Sequence, residues 1–124
     1  MSRGIITLCG STQFPEAFQK VNAELTKADY IVLSVGTFER KEYHSDTPEA
    51  KKLKERLDRL HKEKISISRA IVVLNVGKYI GSSTWSEINY AEGLKLSIFF
   101  LERDKIDDIE NYYFSHAGNY RDLL

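Results

Sequence analysis

The chain has 124 residues and no net formal charge, because 18 basic side chains balance 18 acidic ones. This length is typical of one domain over residues 1–124 and excludes a second full domain. The balanced charge argues against binding to duplex nucleic acid or to a membrane. With Cys9 as its single cysteine, the chain has neither an internal disulfide nor a zinc site built from cysteines. The apolar run ending at Cys9 is too short for a signal peptide or a membrane span, so we expect a cytoplasmic protein.

The first part of the chain predicts a strand, a helix and a second strand. Residues 4–9 are β-rich and almost continuously apolar, and the run breaks at Gly10, as a buried parallel strand does before a loop. Apolar residues then recur at helical spacing over residues 14–28. Residues 30–35 repeat the pattern of a buried strand. This order is that of a βαβ unit.

The next part predicts two more helices and two more strands. A helix begins at the cap residue Thr47, after a polar segment without periodicity. Residues 70–75 form the third strand, a helix begins near Thr84, and residues 97–101 form the fourth strand. Strands and helices that alternate with short links predict an α/β fold. We expect one doubly wound parallel sheet of flavodoxin-like or Rossmann-like type, with helices on both faces.

The residues that carry chemistry are expected at one edge of this sheet. In an open parallel sheet, ligands bind beyond the carboxyl ends of the strands, where the strand order reverses. The loops after the four strands begin at Gly10, Gly36, Asn75 and Glu102. The sequence contains neither G-x-G-x-x-G nor G-x-x-x-x-G-K-[ST], which disfavours ordinary NAD-dependent dehydrogenases and P-loop enzymes. No two histidines have metal-ligand spacing, so we expect no metal and no cofactor.

Two loops have the composition of a site for an anion or a sugar. The turn Gly10-Ser11-Thr12 joins a strand to a helix, where backbone N–H groups favour an anion, although a tight turn with a capping hydroxyl explains it equally well. The segment 81–84 carries three hydroxyls and precedes Glu87. Thr84 and Glu87 match a capping box, in which the glutamate only satisfies a backbone N–H. Alternatively, Glu87 is a nucleophile or an electrostatic partner for a cationic centre.

Two further side chains are weaker candidates. His61 borders the apolar face of its predicted helix, where a histidine is more often a packing residue than a catalyst. Cys9 ends a strand, and a buried, inert thiol is commoner there than a nucleophile. Neither residue is expected to carry the chemistry.

Four segments in this order resemble the nucleoside 2-deoxyribosyltransferase-like superfamily: residues 6–14, 60–65, 73–84 and 86–91. The resemblance implies that Glu87 is the nucleophile. It implies a small-molecule nucleoside or nucleotide as the partner, held by a second group of residues. That group is Gly10, Ser11, Thr12, Asn75, Tyr79, Gly81, Ser82 and Ser83.

The superfamily cleaves the N-glycosidic bond of nucleosides or nucleoside 5′-monophosphates. Glutamate attack at C1′ gives a glycosyl-enzyme ester, which water or a second base resolves with net retention. Two hydroxyl-rich helix N-termini slightly favour a phosphorylated substrate. Hydrolysis of the nicotinamide bond of NAD uses the same chemistry in related folds, but no feature of the sequence selects nicotinamide.

One departure from the superfamily pattern favours a rival interpretation. Before the third strand the family has a pattern like K-I-D-x-[SA]-D-x-[IV], and this chain reads Lys64-Ile65-Ser66-Ile67-Ser68-Arg69-Ala70-Ile71. Both acids are absent, and Arg69 or Ser68 replaces the one that handles the leaving base or orients the nucleophile. Asp46 and Asp58 are the candidates to replace the missing acid. Without a replacement, the fold would be a nucleotide-binding or sensor module that does not turn over its ligand.

The resemblance also implies a homo-oligomer, since family members complete each site with residues of a neighbouring subunit. The tail contains the aromatic run Tyr112-Tyr113-Phe114, which has no place in a four-stranded core. We therefore expect at least a homodimer, with this tail as a candidate contact.

Overall fold

A computed structural model of the chain describes residues 1–102 and 118–124. The strands are β1 (Ile5–Cys9), β2 (Ile31–Leu33), β3 (Ala70–Val73), β4 (Ser97–Phe100) and β5 (Gly118–Asn119). The helices are α1 (Pro15–Lys27), α2 (Arg40–His44), α3 (Pro48–Ser66) and α4 (Ser82–Gly93). Short 3-10 helices cover Val76–Lys78 and Tyr120–Leu123.

The five strands form one sheet in the order β2-β1-β3-β4-β5, and every neighbouring pair is parallel. The chain runs outward from β1 to β2 and then crosses back to β3 on the other side of β1. The strand order therefore reverses between β1 and β3, as in flavodoxin-like sheets. This confirms the predicted α/β class and the doubly wound parallel sheet.

Helices cover both faces of the sheet, as predicted. Because side chains alternate along a strand, Ile6 and Leu8 of β1 point to one face and Cys9 points to the other. The first face packs against α1 and the C-terminal 3-10 helix. The second packs against α3 and α4 through Ile65 and Ile88. The continuous apolar pattern of β1 and β3 follows from burial on both faces.

The structure departs from the sequence prediction at several places. Residues 30–35 are predicted as a buried strand, but β2 covers only Ile31–Leu33 at the edge of the sheet, where Ile31 is exposed. The polar segment before α3 contains the five-residue helix α2, which is too short to show a helical period. Helix α4 begins at Ser82 and not near Thr84. The fifth strand, Gly118–Asn119, has two residues, so no alternation marks it in the sequence.

Two further expectations concern an oligomer contact and membrane-spanning helices, and they can be compared only with the residues that the structure describes. Tyr112, Tyr113 and Phe114, which support the expected oligomer contact, lie outside residues 1–102 and 118–124. Within those two ranges no helix combines the length and the apolar character needed to cross a membrane.

Candidate active site

The carboxyl ends of β1 and β3 border a cleft with a volume of about 910 Å³. It lies at the point where the strand order reverses, which is where open parallel sheets bind their ligands. Its size is that of a pocket for a small organic molecule. Eight of the predicted site residues line it: Gly10, Ser11, Thr12, Tyr79, Gly81, Ser82, Ser83 and Glu87.

Asn75 lies outside the cleft lining, contrary to the expectation that it faces the ligand. Its side-chain amide donates to the carbonyl oxygen of Glu102 at 3.1 Å and accepts from the N–H of Glu102 at 2.9 Å. Only 2% of the residue is exposed. A buried amide that is paired on both sides ties the loop after β3 to the loop after β4, so Asn75 supports the cleft without entering it.

Gly10 allows the turn after β1 to approach the end of β3. A Cβ atom at this position would lie 3.1 Å from Cβ of Leu74 and 3.2 Å from its carbonyl oxygen. Leu74 also donates its N–H to the carbonyl of Cys9 at 2.7 Å. The glycine therefore sets the spacing of the two loops that border the cleft.

The start of α4 decides between the two interpretations of Glu87. Gly81 is the N-cap, and no side chain caps this end of the helix. Because the first helical residue is Ser82, Glu87 lies in the second turn, beyond the three-residue spacing that a capping box requires. The capping-box interpretation of Thr84 and Glu87 is therefore wrong. The free end of the helix and the hydroxyls of Ser82 and Ser83 border the cleft.

The carboxyl group of Glu87 lies at the inner wall of the cleft, and the residue is 9% exposed. Burial raises its pKa from 4.5 to about 8, and the negative charge of Asp58 acts in the same direction. A hydrogen bond with Cys9 and the charges of Lys54 and Lys62 oppose this shift. At neutral pH most molecules therefore hold Glu87 as a neutral carboxylic acid.

His61 on α3 faces Glu87 across this wall. Its Nε2 lies 4.0 Å from Oε1 of Glu87 and has no hydrogen-bond partner within residues 1–102 and 118–124, although His61 is only 6% exposed. The pKa of His61 is lowered to about 4, chiefly by burial and also by the positive charge of Lys64, while a hydrogen bond with the backbone of Leu8 opposes the shift. Since His61 and Glu87 are both neutral near pH 7, their contact is not an ion pair. The free nitrogen at the cleft distinguishes His61 from the packing residue that its helical position predicts.

Cys9 completes this wall from the end of β1. The residue is fully buried, and its thiol is hydrogen-bonded with Glu87. Burial raises the pKa of the thiol well above its usual value, and the nearby carboxyl group adds to the shift. The burial agrees with the prediction of an inert thiol. The Sγ atom of Cys9, a ring nitrogen of His61 and a carboxylate oxygen of Glu87 lie within 4.8 Å of one another.

A cation from α3 borders the free end of α4. The Nζ of Lys54 donates to Oγ of Ser83 at 2.9 Å and to a carboxylate oxygen of Asp58 at 3.1 Å. Lys54, Asp58 and Ser83 all line the cleft. No signal in the sequence singles out Lys54 from the other charged residues of α3.

Helix α2 contributes the opposite wall. The guanidinium of Arg40 and the hydroxyl of Tyr43 each donate to Oγ1 of Thr12 at 2.9 Å. Both residues line the cleft, and Tyr43 is buried. Their spacing of three residues, which puts both on one helix face, is the one signal that the sequence offers for this contact.

The two positions at which the superfamily pattern has aspartates, 66 and 69, lie in different parts of the structure. Ser66 lines the cleft, whereas Arg69 precedes β3 at the amino ends of the strands and donates to the carbonyl of Arg3 at 2.6 Å. Of the two candidate replacements, Asp58 lines the cleft and Asp46 is exposed in an ion pair outside it. Because the Arg69 side chain lies at the far end of the sheet, we do not expect it to prevent turnover in the cleft.

No protein-family model matches the chain, and a search of curated proteins also finds no match. The superfamily resemblance therefore stays a prediction. The case for a function depends on the geometry of the cleft.

Proposed function

We propose that the chain cleaves the N-glycosidic bond of a nucleoside or a nucleoside 5′-monophosphate, with Glu87 as the nucleophile. The observation that carries the proposal is the position of Glu87. Its carboxyl group has no capping role, lies at the inner wall of the cleft, and faces the strand-order reversal where a ligand binds. A buried carboxyl with a shifted pKa inside a cleft is the arrangement typical of a reacting group.

The reaction proceeds in two steps at C1′ of the sugar. The ionised carboxylate of Glu87 attacks C1′ and forms an ester, while the bond from C1′ to the base breaks and its electron pair stays on the base nitrogen. The departing base takes a proton from water that enters the cleft. Water or a second base then attacks C1′ from the opposite side and releases the Glu87 carboxylate, which gives net retention.

The two walls of the cleft suit a phosphorylated substrate. Lys54 lies beside the hydroxyl of Ser83 at the free end of α4, and Arg40 lies beside Thr12 at the turn before α1. Cations, hydroxyls and helix N-termini together favour the phosphate of a nucleoside 5′-monophosphate. We therefore rank monophosphates above free nucleosides.

A second candidate function is nucleotide binding without turnover. Two observations favour it: Glu87 is mostly protonated at neutral pH, and Ser66 stands where the superfamily has an acid on the cleft side. A protonated carboxyl cannot attack C1′, and a serine cannot protonate the leaving base. The same cleft then holds the nucleotide as a sensor.

The test is incubation with a panel of deoxynucleosides, ribonucleosides and their 5′-monophosphates, followed by chromatography for free base. The proposal expects release of base by the parent chain and a loss on the order of 10³-fold or more in Glu87→Gln. Glu63→Gln is the matched control, because Glu63 also lines the cleft but is exposed and pairs with Arg59.

A slow substrate separates the nucleophile from other roles of Glu87. Fluorine at the 2′ position destabilises the cationic transition state, so the ester accumulates and intact-protein mass spectrometry detects it. We expect one added glycosyl group on the parent chain and on Glu63→Gln, and none on Glu87→Gln. Binding of the nucleotides without base release and without an ester would favour the sensor function instead.

A further inference from the structure

Three side chains at the inner wall of the cleft form a compact donor set of sulfur, nitrogen and oxygen. Cys9 comes from the end of β1, His61 from α3 and Glu87 from α4. Their donor atoms lie within 4.8 Å of one another, and all three residues are buried. In a tetrahedral zinc site the donor atoms are roughly 3.3 to 3.7 Å apart, so small side-chain rotations bring this set to a common centre.

The nitrogen of His61 is the feature that the proposed reaction leaves unexplained. Its Nε2 is buried, lies 4.0 Å from Oε1 of Glu87, and has no hydrogen-bond partner among the residues that the structure describes. A buried acceptor without a partner destabilises the fold unless a ligand occupies it. The other side of the ring is held by the backbone of Leu8, as the rings of metal-binding histidines are held by an outer hydrogen bond.

We propose that Cys9, His61 and Glu87 bind a borderline-soft divalent cation of the zinc type. The thiolate, the neutral imidazole and the carboxylate match the donors that Zn²⁺ prefers. One thiolate and one carboxylate also balance the two positive charges, so the buried site becomes neutral. Binding releases the thiol proton, and the carboxyl proton where Glu87 holds one, to solvent.

The cleft gives the cation access to the three side chains and provides the fourth ligand. His61 and Glu87 line the cleft, whereas Cys9 lies behind them, so the cation enters from the cleft side. Three protein ligands leave one position open to water or to a ligand in the cleft. The expectation of no metal rested on the spacing of histidines in sequence, which does not detect a site assembled from three separate elements.

Metal occupancy and glycosidic cleavage exclude each other at this wall. The bound cation takes the oxygen electron pair with which Glu87 attacks C1′. Zinc therefore inhibits the reaction, and a chelator restores it. This consequence, unlike the binding itself, rests on the proposed function.

Cobalt is the probe, because Co²⁺ replaces Zn²⁺ and its spectrum identifies thiolate ligands. Cys9 is the single cysteine of the sequence, so a thiolate-to-cobalt absorption band reports this site alone. We expect the band in the untagged full chain at one equivalent of Co²⁺, and its loss when Zn²⁺ is added. Calorimetry with Zn²⁺ should show one site, weakened about tenfold or more in Cys9→Ser and in His61→Gln.

His44→Gln is the matched control, since His44 lines the same cleft but lies outside the donor set. It should bind zinc like the parent chain. Circular dichroism confirms that each variant folds, and His61→Gln decides the test if Cys9→Ser does not fold. Absence of the band in the parent chain, or zinc affinity unchanged in both ligand variants, overturns the proposal. These measurements need no substrate, so failure of the proposed reaction does not affect them.

Discussion

Two polar clusters lie on the same face of β1, two residues apart, and their hydrogen bonding differs. At Thr7, Oγ1 lies 2.6 Å from Oγ of Ser68, and the Ser68 hydroxyl donates to the carbonyl of Lys64 at 2.8 Å. At Cys9, Nε2 of His61 lies beside a neutral Glu87 and has no hydrogen-bond partner in the described part of the chain. Both clusters are buried against α3.

Comparison of the clusters at Thr7 and Cys9 shows which buried polar groups serve stability. The hydroxyls of Thr7 and Ser68 satisfy each other, so their burial costs little and they fix the end of α3 against the sheet. The cluster at Cys9 carries an unpaired acceptor and a carboxyl group whose pKa is raised to about 8 by burial. Such costs persist where a site needs the groups for a ligand or for a reaction.

The largest expected effect is on the pH dependence of the reaction. If the ionised Glu87 is the nucleophile, kcat/KM should fall about tenfold for each pH unit below about 8 and level off above it. The measurement is base release between pH 6 and pH 9, with a chelator present to keep cations from Glu87. A rate that instead falls as pH rises through 8 would make Glu87 a general acid.

The next effect is on the pH dependence of the free energy of unfolding, to which Glu87 and His61 contribute with opposite signs. The folded state holds the Glu87 proton between pH 4.5 and about 8, where the unfolded state has lost it, so the free energy of unfolding falls as pH rises through this range. His61, with its pKa lowered from 6.5 to about 4, makes stability rise with pH between these values. Above pH 6.5 the effect of Glu87 exceeds that of His61, and we expect a net loss of about 1 kcal/mol by pH 8.

Urea unfolding at pH 6.5 and at pH 8, with a chelator, measures this loss. Glu87→Gln has no proton to lose, so its stability should differ much less between the two values. Glu63→Gln should lose as much stability between the two pH values as the parent chain, since it leaves Glu87, His61 and Cys9 unchanged. Equal slopes in the parent and in Glu87→Gln would contradict the assignment of the shift to Glu87.

A smaller effect is expected at the cluster of Thr7 and Ser68, whose hydroxyls are hydrogen-bonded to each other. Thr7→Val keeps the shape of the side chain but removes the hydroxyl that pairs with Ser68, at a cost of about 1 kcal/mol in the free energy of unfolding. Neither Thr7 nor Ser68 lines the cleft, so base release by the folded protein should be unchanged. Urea unfolding and the base-release assay together check this. A large loss of rate at unchanged stability would show that the two clusters are coupled.

The sequence predicts the sheet well because its signals are local. β1 and β3 are short apolar runs that end at loop residues, and that pattern reports burial on both faces. In a doubly wound parallel sheet the loops after the strands lie at one edge, which predicts that Gly10 and Gly81 border the same cleft. These features need no knowledge of side-chain contacts.

The inner wall of the cleft is harder to predict because its contacts join distant elements. His61 and Glu87 are 26 positions apart in sequence, and their contact depends on how α3 packs against α4. The start of α4 at Ser82 also depends on a glycine N-cap, which has no side-chain signature. Asn75 looks like a ligand-binding residue in sequence, and only its pairing with Glu102 shows otherwise.

The smallest expected effect comes from a substitution at the end of the sheet opposite the cleft. Arg69→Asp should change base release by less than about twofold, because Arg69 lies at the amino ends of the strands, against Gly4 and the carbonyl of Arg3. Its loss of contacts should cost at most about 1 kcal/mol, since the side chain is exposed. Ser66→Asp, by contrast, adds an acid at the cleft and should raise the rate if protonation of the leaving base limits it. Chromatography of released base from both variants decides: a rise in Arg69→Asp alone would mean that the cleft described here is not where the reaction occurs.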